Sequence, residues 1–407
     1  MDSCIDLATK VIQKEMMTKS ANIVLSPFSI RLVMNMVASG AGGANLKQFL
    51  QFLGYKDIQN LKSNSKTMIS LLSSSPKKKF PTKTKVVTLR REERLKEPLF
   101  SSANALWVDH GWPLIPSFEE SVKDIYKAQV KNVDILLKGE EVKKEINLWV
   151  ENETEGLIKD LIKPNIKLEP PVVLVNALYF KGAWENEIFH KGSKTRKEEF
   201  HLLSGETIEV PFMFGIQDYY FYRSFPDFKV LKLPYQSDQE QNKQFSMYIF
   251  LPHSVNGLKD MIEKLNSGKI SLMDNSFFHH LEMEKLSEVR IPKWKFTYDF
   301  EAQNFMEEMG LTLPFNPSGE DFTNMVERDG ERLYISTILH KACIEVNDEG
   351  TEAAAATACL LGCGGAFSLR PPESFVADHP FLFMIREEKK GLVMFTGAVL
   401  NPLSAGS

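Results

Sequence analysis

The sequence predicts an α+β protein in which strands outnumber helices. Apolar residues recur at helical spacing over 5–18 and 29–39, so helices are expected to cluster early in the chain. Later segments are short apolar or alternating runs, which are typical of strands. The run 172–180 is almost continuously apolar, as in a strand buried on both faces of its sheet. Separate groups of helices and strands favour the α+β class.

The composition is that of a soluble globular protein. The chain has 407 residues, of which 43% are hydrophobic and 25% charged, and its net charge is −4. This charge gives no basic footprint for nucleic acid, and no apolar run is long enough to span a membrane. No long linker or internal repeat divides the chain, so we expect one domain over residues 1–407.

The cysteines and the N-terminus indicate a compartment. Residues 1–6 lack the basic segment of a signal peptide. The four cysteines, at positions 4, 343, 359 and 363, are too few and too scattered for a secreted disulfide framework. We therefore predict a cytoplasmic protein in a reducing environment, with release by a non-classical route left open.

The first predicted strand lies within Asn22–Ile30 and breaks into a helix. Ser26 is suited to cap that helix, and Pro27 to occupy its first turn. A basic run follows at 77–96, interrupted by a few glutamates. We interpret it as a solvated loop rather than a binding site, because runs of charge are usually solvated.

Strands and one helix are predicted in the middle of the chain. Ser102–Val108 is expected to be a central strand. Apolar spacing over Ile146–Ile162 predicts an amphipathic helix that stops at Pro164.

Asn176 interrupts the apolar run at 172–180. A buried amide without hydrogen-bond partners costs about 1–3 kcal/mol, so partners are expected nearby. A satisfied core amide and a functional polar group both fit this position.

A long connection joins two strands near the C-terminus. Residues 338–346 alternate between two faces, with His340 on one face and Lys341 on the other, and 381–385 again has the pattern of a strand. The chain between them is far longer than the roughly four to six residues of most connections in compact domains. Loops of this length are usually functional or disordered.

The first half of this connection holds almost nothing larger than alanine. Gly350 permits any backbone conformation, and Ala353–Ala356 are small residues in succession. One interpretation is a short Ala-rich helix. The other is an extended segment that slides between other elements, with Glu352 facing water. The opposite face is then small and weakly polar, and consists of Thr351, Ala353, Ala355, Thr357 and Cys359.

The segment Gly350–Ala358 resembles the hinge of the serpin reactive-centre loop, and Phe375–Phe381 is similar to plant serpins in particular. The resemblance covers about residues 5–403, and the segments 228–235, 245–252, 289–296 and 392–399 resemble strands of serpin sheets. It implies the serpin fold, with three β-sheets, about eight to nine helices and an exposed reactive-centre loop at about 348–374. It also implies a monomer without a cofactor, and no nucleic-acid or membrane partner.

In serpins a protease attacks this loop, and the cut loop inserts as a new strand into the large central sheet and carries the acylated protease with it. The resemblance therefore implies a protease inhibitor that forms a covalent 1:1 complex. The hinge residues that it implies are Gly350, Thr351, Glu352, Ala353, Ala354, Ala355, Ala356 and Thr357.

The resemblance also implies a group of residues at the opening of the central sheet. Ser26 and Ser29 match two serines that lie beneath that sheet. Asn176 matches an asparagine that bonds a histidine on a neighbouring strand, and His340 stands at the position of that histidine. Trp184 matches a tryptophan beneath the top of the opening.

Family spacing, counted from Gly350 and back from Phe375, implies a scissile bond at Gly364–Gly365. Gly364 offers a protease no side chain, so a trypsin-like target is not expected. In addition, Asp348 stands where relatives usually have Glu. A papain-like cysteine protease or an elastase-like serine protease fits the flanking residues Leu360, Leu361, Cys363 and Phe367.

An enzyme is not predicted. The sequence contains no Gly-x-Ser-x-Gly elbow, no His-Glu-x-x-His and no phosphate-binding Gly-x-x-x-x-Gly-Lys-Ser/Thr. The alternative is a non-inhibitory serpin-fold protein that is cleaved as a substrate. The small hinge residues argue against it, because non-inhibitory relatives commonly carry bulky or charged residues there.

Overall fold

The computed structural model describes most of the chain. The described residues are 3–18, 21–72, 99–185, 188–189, 195–215, 219–237, 243–267, 275–318, 322–327, 333–348 and 373–404. The basic run at 77–96, the hinge at 350–357, the reactive bond at 364–365 and its flanking residues at 360–367 lie outside them.

Nine α-helices lie within the described residues. In chain order they are α1 Ser3–Thr18, α2 Pro27–Ala38, α3 Gly43–Leu53, α4 Ile58–Leu72, α5 Pro116–Tyr126, α6 Ile135–Glu153, α7 Leu258–Asn266, α8 Asn275–His279 and α9 Gln303–Glu308. A short 3-10 helix occupies Leu313–Phe315. Among the described helices, none combines the length and the hydropathy that a membrane crossing requires.

The described strands outnumber the helices. They are β1 Ile23–Leu25, β2 Leu99–Asp109, β3 Gln129–Val133, β4 Val172–Lys181, β5 Arg196–His201, β6 Thr207–Phe214, β7 Tyr219–Ser224, β8 Phe228–Pro234, β9 Phe245–Pro252, β10 Glu282–Lys285, β11 Glu288–Pro292, β12 Trp294–Glu301, β13 Ile335–Val346, β14 Ser374–Val376, β15 Phe381–Glu387 and β16 Leu392–Val399.

These strands form three sheets, so the predicted α+β class and the three-sheet architecture are confirmed. The largest sheet has the order β1-β16-β15-β9-β8-β7-β10, and the smallest has the order β14-β11-β6-β5. The remaining sheet, called sheet A below, has the order β12-β13-β4-β2-β3. Within sheet A, β4 runs parallel to β13 on one side and antiparallel to β2 on the other.

Sheet A is covered on both faces, and this explains its apolar centre. Every residue of β4 from Val172 to Phe180 is buried. On one face, Val175 and Ala177 pack in a cluster with Ile146 and Val150 of α6. The opposite face belongs to the main core, which also contains α2. Burial on both faces is what a nearly continuous apolar run indicates.

Two predicted elements differ from the structure. The helix expected over Ile146–Ile162 ends at Glu153. The hydroxyl of Thr154 donates to the carbonyl oxygen of Val150 in the last turn and accepts from the backbone N–H of Ile158 beyond it, and the two residues after Thr154 have left-handed φ values of 51° and 79°. The strand expected at 289–296 is two strands in different sheets, interrupted at Lys293. The apolar positions shift from 289 and 291 before the break to 294 and 296 after it, so the alternation is itself interrupted at Pro292 and Lys293.

Candidate functional site

The junction between β4 and β13 is the centre of the site, and we call it the seam. Residues Ile335–Ile344 of β13 pair in parallel with Val172–Phe180 of β4. His340 lies directly opposite Asn176 in this register, and Asn104 of β2 lies opposite Asn176 on the other side. Three polar side chains therefore form one row across an otherwise apolar sheet.

Hydrogen bonds join this row into a closed network. The amide oxygen Oδ1 of Asn176 accepts from the hydroxyl of Ser29 at 2.8 Å and from Nδ1 of His340 at 2.5 Å. Its amide nitrogen Nδ2 donates to Oδ1 of Asn104 at 2.6 Å. The Asn176 side chain thus uses both ends of its amide, which removes the cost of burying it.

The start of α2 brings the two serines beneath the seam. Ser26 is the N-cap of α2, and its hydroxyl oxygen accepts from the backbone N–H of Ser29 at 3.1 Å. The same hydroxyl donates to the carbonyl oxygen of Met394 at 2.6 Å. The cap therefore fastens α2 to β16 while it points Ser29 at Asn176.

His340 is neutral in this network. Its Nε2 accepts from the backbone N–H of Ser26 at 3.4 Å, so the ring proton lies on Nδ1 and is donated to Asn176. Burial lowers the pKa of His340 to about 3, because a desolvated imidazolium is disfavoured. A second proton on this ring would remove the bond from Ser26.

We expect acid to weaken the folded protein through His340. Its pKa in the folded state lies below the ordinary value of about 6.5, so the unfolded chain binds the proton first as the pH falls. The stability due to neutral His340 is complete above about pH 6.5 and is lost as the pH falls toward 3. The slope is about 1.4 kcal/mol per pH unit. Between pH 7 and pH 5, the free energy of unfolding should fall by about 2 kcal/mol more in the wild type than in His340→Gln.

Denaturant unfolding at both pH values measures this difference. If the unfolding free energies of the wild type and of His340→Gln fall by the same amount between pH 7 and pH 5, the neutral, buried state of His340 is contradicted. The matched control is His253→Gln, because His253 is an exposed residue directly after β9, and its Nε2 bonds the carbonyl oxygen of Phe225 in the largest sheet instead of the seam.

Trp184 lies apart from this network, at the upper end of the seam. Its indole Nε1 donates to the carbonyl oxygen of Asn347 at 3.1 Å, directly after the end of β13. Its ring stacks on Tyr235 with 4.5 Å between centroids. Gly182 permits this arrangement, because a Cβ there would come within 2.5 Å of the Tyr235 ring. Trp184 therefore holds the residue at which the long connection begins.

The carboxylate of Asp348 also holds the start of the long connection in place. Lys293 Nζ donates to one oxygen of Asp348 at 2.6 Å, and the hydroxyl of Thr195 donates to the other at 3.0 Å. Burial raises the pKa of Asp348, but these two hydrogen bonds and the Lys293 charge outweigh burial and hold it below the ordinary value. Asp348 thus ties the root of the connection to the start of β12 and to the segment before β5.

The expected cost of Asp348→Ala is about 2 kcal/mol of unfolding free energy, because Lys293 loses its buried anion. Lys293→Met should cost a similar amount, and the double variant should cost little more than either single one. The contribution of Asp348 is present at neutral pH and disappears only below about pH 4, since its folded-state pKa is lowered. Thermal and denaturant unfolding measure these effects, and strict additivity of the two substitutions would show that the ion pair contributes nothing.

A strap crosses the seam on the face opposite α2. It consists of residues 154–171, which link α6 to β4. Lys341 of β13 donates from Nζ to the carbonyl oxygens of Lys159 and Asp160 at 2.9 and 3.1 Å. Lys163 forms an ion pair of 2.9 Å with Asp299 of β12. The pKa of Lys341 is lowered by burial, although the nearby Asp299 opposes the effect. The strap is thus bonded to β12 and β13, the two strands on one side of the seam.

The structure brings together four of the five residues proposed for the sheet opening, namely Ser26, Ser29, Asn176 and His340. Trp184 lies at the end of β13 instead. Sequence reasoning missed Asn104, although a polar residue inside the predicted strand Ser102–Val108 was a usable signal. It also missed Lys293 and Lys341, because the pattern of a strand does not show which segment will cross its exposed face.

Comparisons with known proteins agree on one family. The family model described as "Serpin (serine protease inhibitor)" matches residues 1–402. Serpin-Z10 of Arabidopsis thaliana is 39% identical over 390 residues, which is 94% of this chain and 92% of that protein. Serpin-ZXA of Oryza sativa is 38% identical over 389 residues, 94% of this chain and 91% of that protein.

A solved structure shows the same architecture. The Arabidopsis protein AtSerpin1, described as being in its native stressed conformation, superposes with a TM-score of 0.84 at 35% identity. The match covers 99% of this chain and 100% of that one.

Proposed function

The chain belongs to the serpin family, whose members support a role as protease inhibitor, and we propose that it traps its target as a covalent acyl-enzyme by inserting its cleaved loop into the seam. The observation that carries this proposal is the parallel pairing of β4 and β13, next to a long connection that begins where β13 ends. A strand that turns back after β13 runs antiparallel to both neighbours. Insertion therefore replaces one parallel ladder by two antiparallel ladders, which are more stable per residue.

The contacts at the root predict the register of the inserted strand. Trp184 and Lys293 hold Asn347 and Asp348 outside it, so the strand can begin with Thr351 opposite Val346, the last residue of β13. Counting antiparallel from this pair places Thr357 beside His340 and Asn176. A shift of the inserted strand by two residues in either direction keeps the same face inward but places Ala355 or Cys359 beside His340 and Asn176. Neither of these side chains replaces the hydrogen bond that Asn176 and His340 lose.

This register also explains why the hinge is small. Ala355 enters between Ala342 of β13 and Leu178 of β4, both of which are fully buried. Ala353 enters between Ile344 and Phe180, which are fully buried as well. A large or charged side chain at either hinge position would have to be buried in a packed core while the protease is still attached to the loop as an acyl-enzyme, and this would slow insertion.

Trapping is a race between insertion and deacylation. The serine oxygen or cysteine sulfur of the protease bonds to the carbonyl carbon of Gly364, the bond from that carbon to the nitrogen of Gly365 breaks, and the new amine takes a proton from the protease. Water must then reach the acyl bond to free the enzyme. Insertion moves the protease before this happens, so slow insertion yields a cut inhibitor and an active protease.

We expect a papain-like cysteine protease or an elastase-like serine protease to be trapped, and a trypsin-like protease to be trapped poorly. Gly364 gives the primary pocket of a protease nothing to hold, so recognition falls to Leu360, Leu361, Cys363 and Phe367. Incubation with one protease of each kind, followed by denaturing electrophoresis and mass spectrometry of the released peptide, measures both outcomes. Cleavage by all three without any covalent complex would favour the substrate-only alternative.

A further inference from the structure

His379 lies in the short segment between β14 and β15, and its side chain is only 8% exposed. Its Nδ1 lies 2.7 Å from Oδ1 of Asp378, and its Nε2 lies 2.8 Å from the carbonyl oxygen of Pro252, the last residue of β9. Each ring nitrogen therefore has one oxygen within hydrogen-bond distance.

Both of these oxygens accept hydrogen bonds and have none to donate. A backbone carbonyl carries no proton, and Asp378 is ionised at neutral pH. Burial raises the pKa of Asp378, but the hydrogen bond and the charge of His379 outweigh burial and hold this pKa below its ordinary value. A neutral imidazole has one N–H and can satisfy only one of the two oxygens, whereas an imidazolium donates to both. His340 is the opposite case, because its Nε2 accepts from a backbone N–H.

The ring of His379 helps to hold the end of β14. This three-residue strand lies at the edge of the smallest sheet, where the long connection returns to the described fold. The backbone N–H of Ala377 donates to the carbonyl oxygen of Arg290, and the carbonyl oxygen of Asp378 accepts from the backbone N–H of His201. These bonds stay within the smallest sheet. The ring of His379 adds a bond to β9, which belongs to the largest sheet.

The elements around the ring bring three further charged or titratable groups. His201, at the end of β5, is close enough to Asp378 for its charge to favour the carboxylate. His253 follows β9 directly and is exposed. Arg290 of β11 already pairs with two glutamates. All three are bases, so the anion that the ring of His379 contacts is Asp378.

We propose that His379 carries both ring protons and acts as a charged clamp on the end of β14, and that rising pH releases this clamp. Loss of one proton leaves the ring with one donor for two acceptors, so the bond to Asp378 or the bond to Pro252 must break. The start of the long connection responds differently, because Asp348 stays ionised as the pH rises. Alkaline pH therefore loosens the return end of the connection and leaves its start in place.

Nitrogen NMR of the full-length protein, isotopically labelled at its histidine rings, tests the charge state. The chain contains eight histidines, and the signals missing from His379→Gln identify His379. At pH 7 both of its ring nitrogens should have the chemical shifts of N–H nitrogens, whereas His340 should show one N–H and one bare nitrogen. A bare ring nitrogen on His379 at pH 7 would overturn the proposal.

Hydrogen exchange of residues 374–378 tests the clamp. Protection factors, corrected for the intrinsic pH dependence of exchange, should fall about tenfold in the wild type between pH 6 and pH 9, because a hydrogen bond to a charged group is lost. Strand β3, at the edge of sheet A, is the internal reference, and its protection should not change over this range.

Two substitutions separate the charge of the ring from its contacts. Asp378→Asn supplies a side-chain N–H that can donate to the bare Nδ1 of a neutral His379, while Nε2 still donates to Pro252. Residues 374–378 should then stay protected at pH 9. His379→Gln removes the clamp, so its protection at pH 6 should already be as low as that of the wild type at pH 9. The matched control is His201→Gln, which should keep the wild-type pH dependence, because the backbone N–H of His201 and not its ring bonds Asp378.

Three exchange results would contradict the clamp. They are unchanged wild-type protection of 374–378 between pH 6 and pH 9, the wild-type pH dependence in Asp378→Asn, and loss of that dependence in His201→Gln. None of these measurements requires the loop to enter the seam. The clamp and the proposed function can therefore fail independently of each other.

Discussion

Cutting the long connection once, within 361–366, is expected to make the protein markedly more resistant to heat. The cut frees residues 349–364 to enter the seam as a strand that is antiparallel to both β4 and β13. The single parallel ladder of the intact protein is exchanged for two, a gain of about ten backbone hydrogen bonds. At about 0.5–1.5 kcal/mol net for each bond, the cut protein is more stable by on the order of 10 kcal/mol.

The change in melting temperature follows from the size of the chain. Unfolding entropy is about 2 cal/mol/K per residue, so for 407 residues a stabilisation of this size raises the melting temperature by on the order of 10 °C. A recognition sequence for a specific protease, placed at 362–366, makes the cut uniform. Differential scanning calorimetry of the intact and cut proteins measures the shift.

A second cut provides the control. The exposed turn at 203–205 joins β5 to β6 and has no route into the seam. A cut there should leave the melting temperature unchanged or lower it, because it only frees chain ends. If both cuts have the same effect, or if the cut at 362–366 lowers the melting temperature, the seam does not accept the loop.

Ala355→Arg is expected to convert the inhibitor into a substrate. In the inserted strand, position 355 lies between the fully buried Ala342 and Leu178, on the face that packs against the main core. An isolated guanidinium there costs several kcal/mol, because the Ala342 and Leu178 side chains beside it are apolar and offer it no anion. Insertion is therefore expected to stop at the hinge, so that water deacylates the protease first. The yield of covalent complex should fall at least tenfold, while the loop is cut at its normal rate.

The variant must leave the intact protein unchanged for this result to be interpretable. Position 355 lies outside the described residues, and equal melting temperatures of the uncut wild-type and variant proteins would show that the fold is intact. Ala355→Ser is the matched control, since a serine differs by one hydroxyl and should still insert. If Ala355→Arg forms the covalent complex at the wild-type stoichiometry, the proposed mechanism is wrong.

The strand that carries the seam could be predicted from the sequence to within a few residues. Alternation over 338–346 puts His340 and Lys341 on opposite faces, and the structure has them so. The continuous apolar run of β4 likewise predicted its burial on both faces of the sheet. Local patterns of this kind survive folding because each side chain is sorted by the same two environments, core and water, along one element.

The helix expected over Ile146–Ile162 shows where such patterns fail. Its apolar spacing continues past Glu153, yet the chain leaves the helix there and becomes the strap across the seam. The apolar residues beyond that point are buried by the sheet beneath the strap, not by a helical face. Periodicity reports that a residue is buried and does not report which surface buries it.

The sequence by itself determined the class of the fold, the strands of the seam, the family resemblance and the small composition of the hinge, since these depend on residue type and spacing along the chain. Only the tertiary structure decided that Asn104 completes the polar row, that Lys341 fastens the strap, and that Tyr179 of β4 bonds Glu345 of β13 across the seam. These are contacts between residues about 70 to 180 positions apart. Such contacts depend on the register between strands, which is set by packing of the whole sheet and leaves no mark on either strand alone.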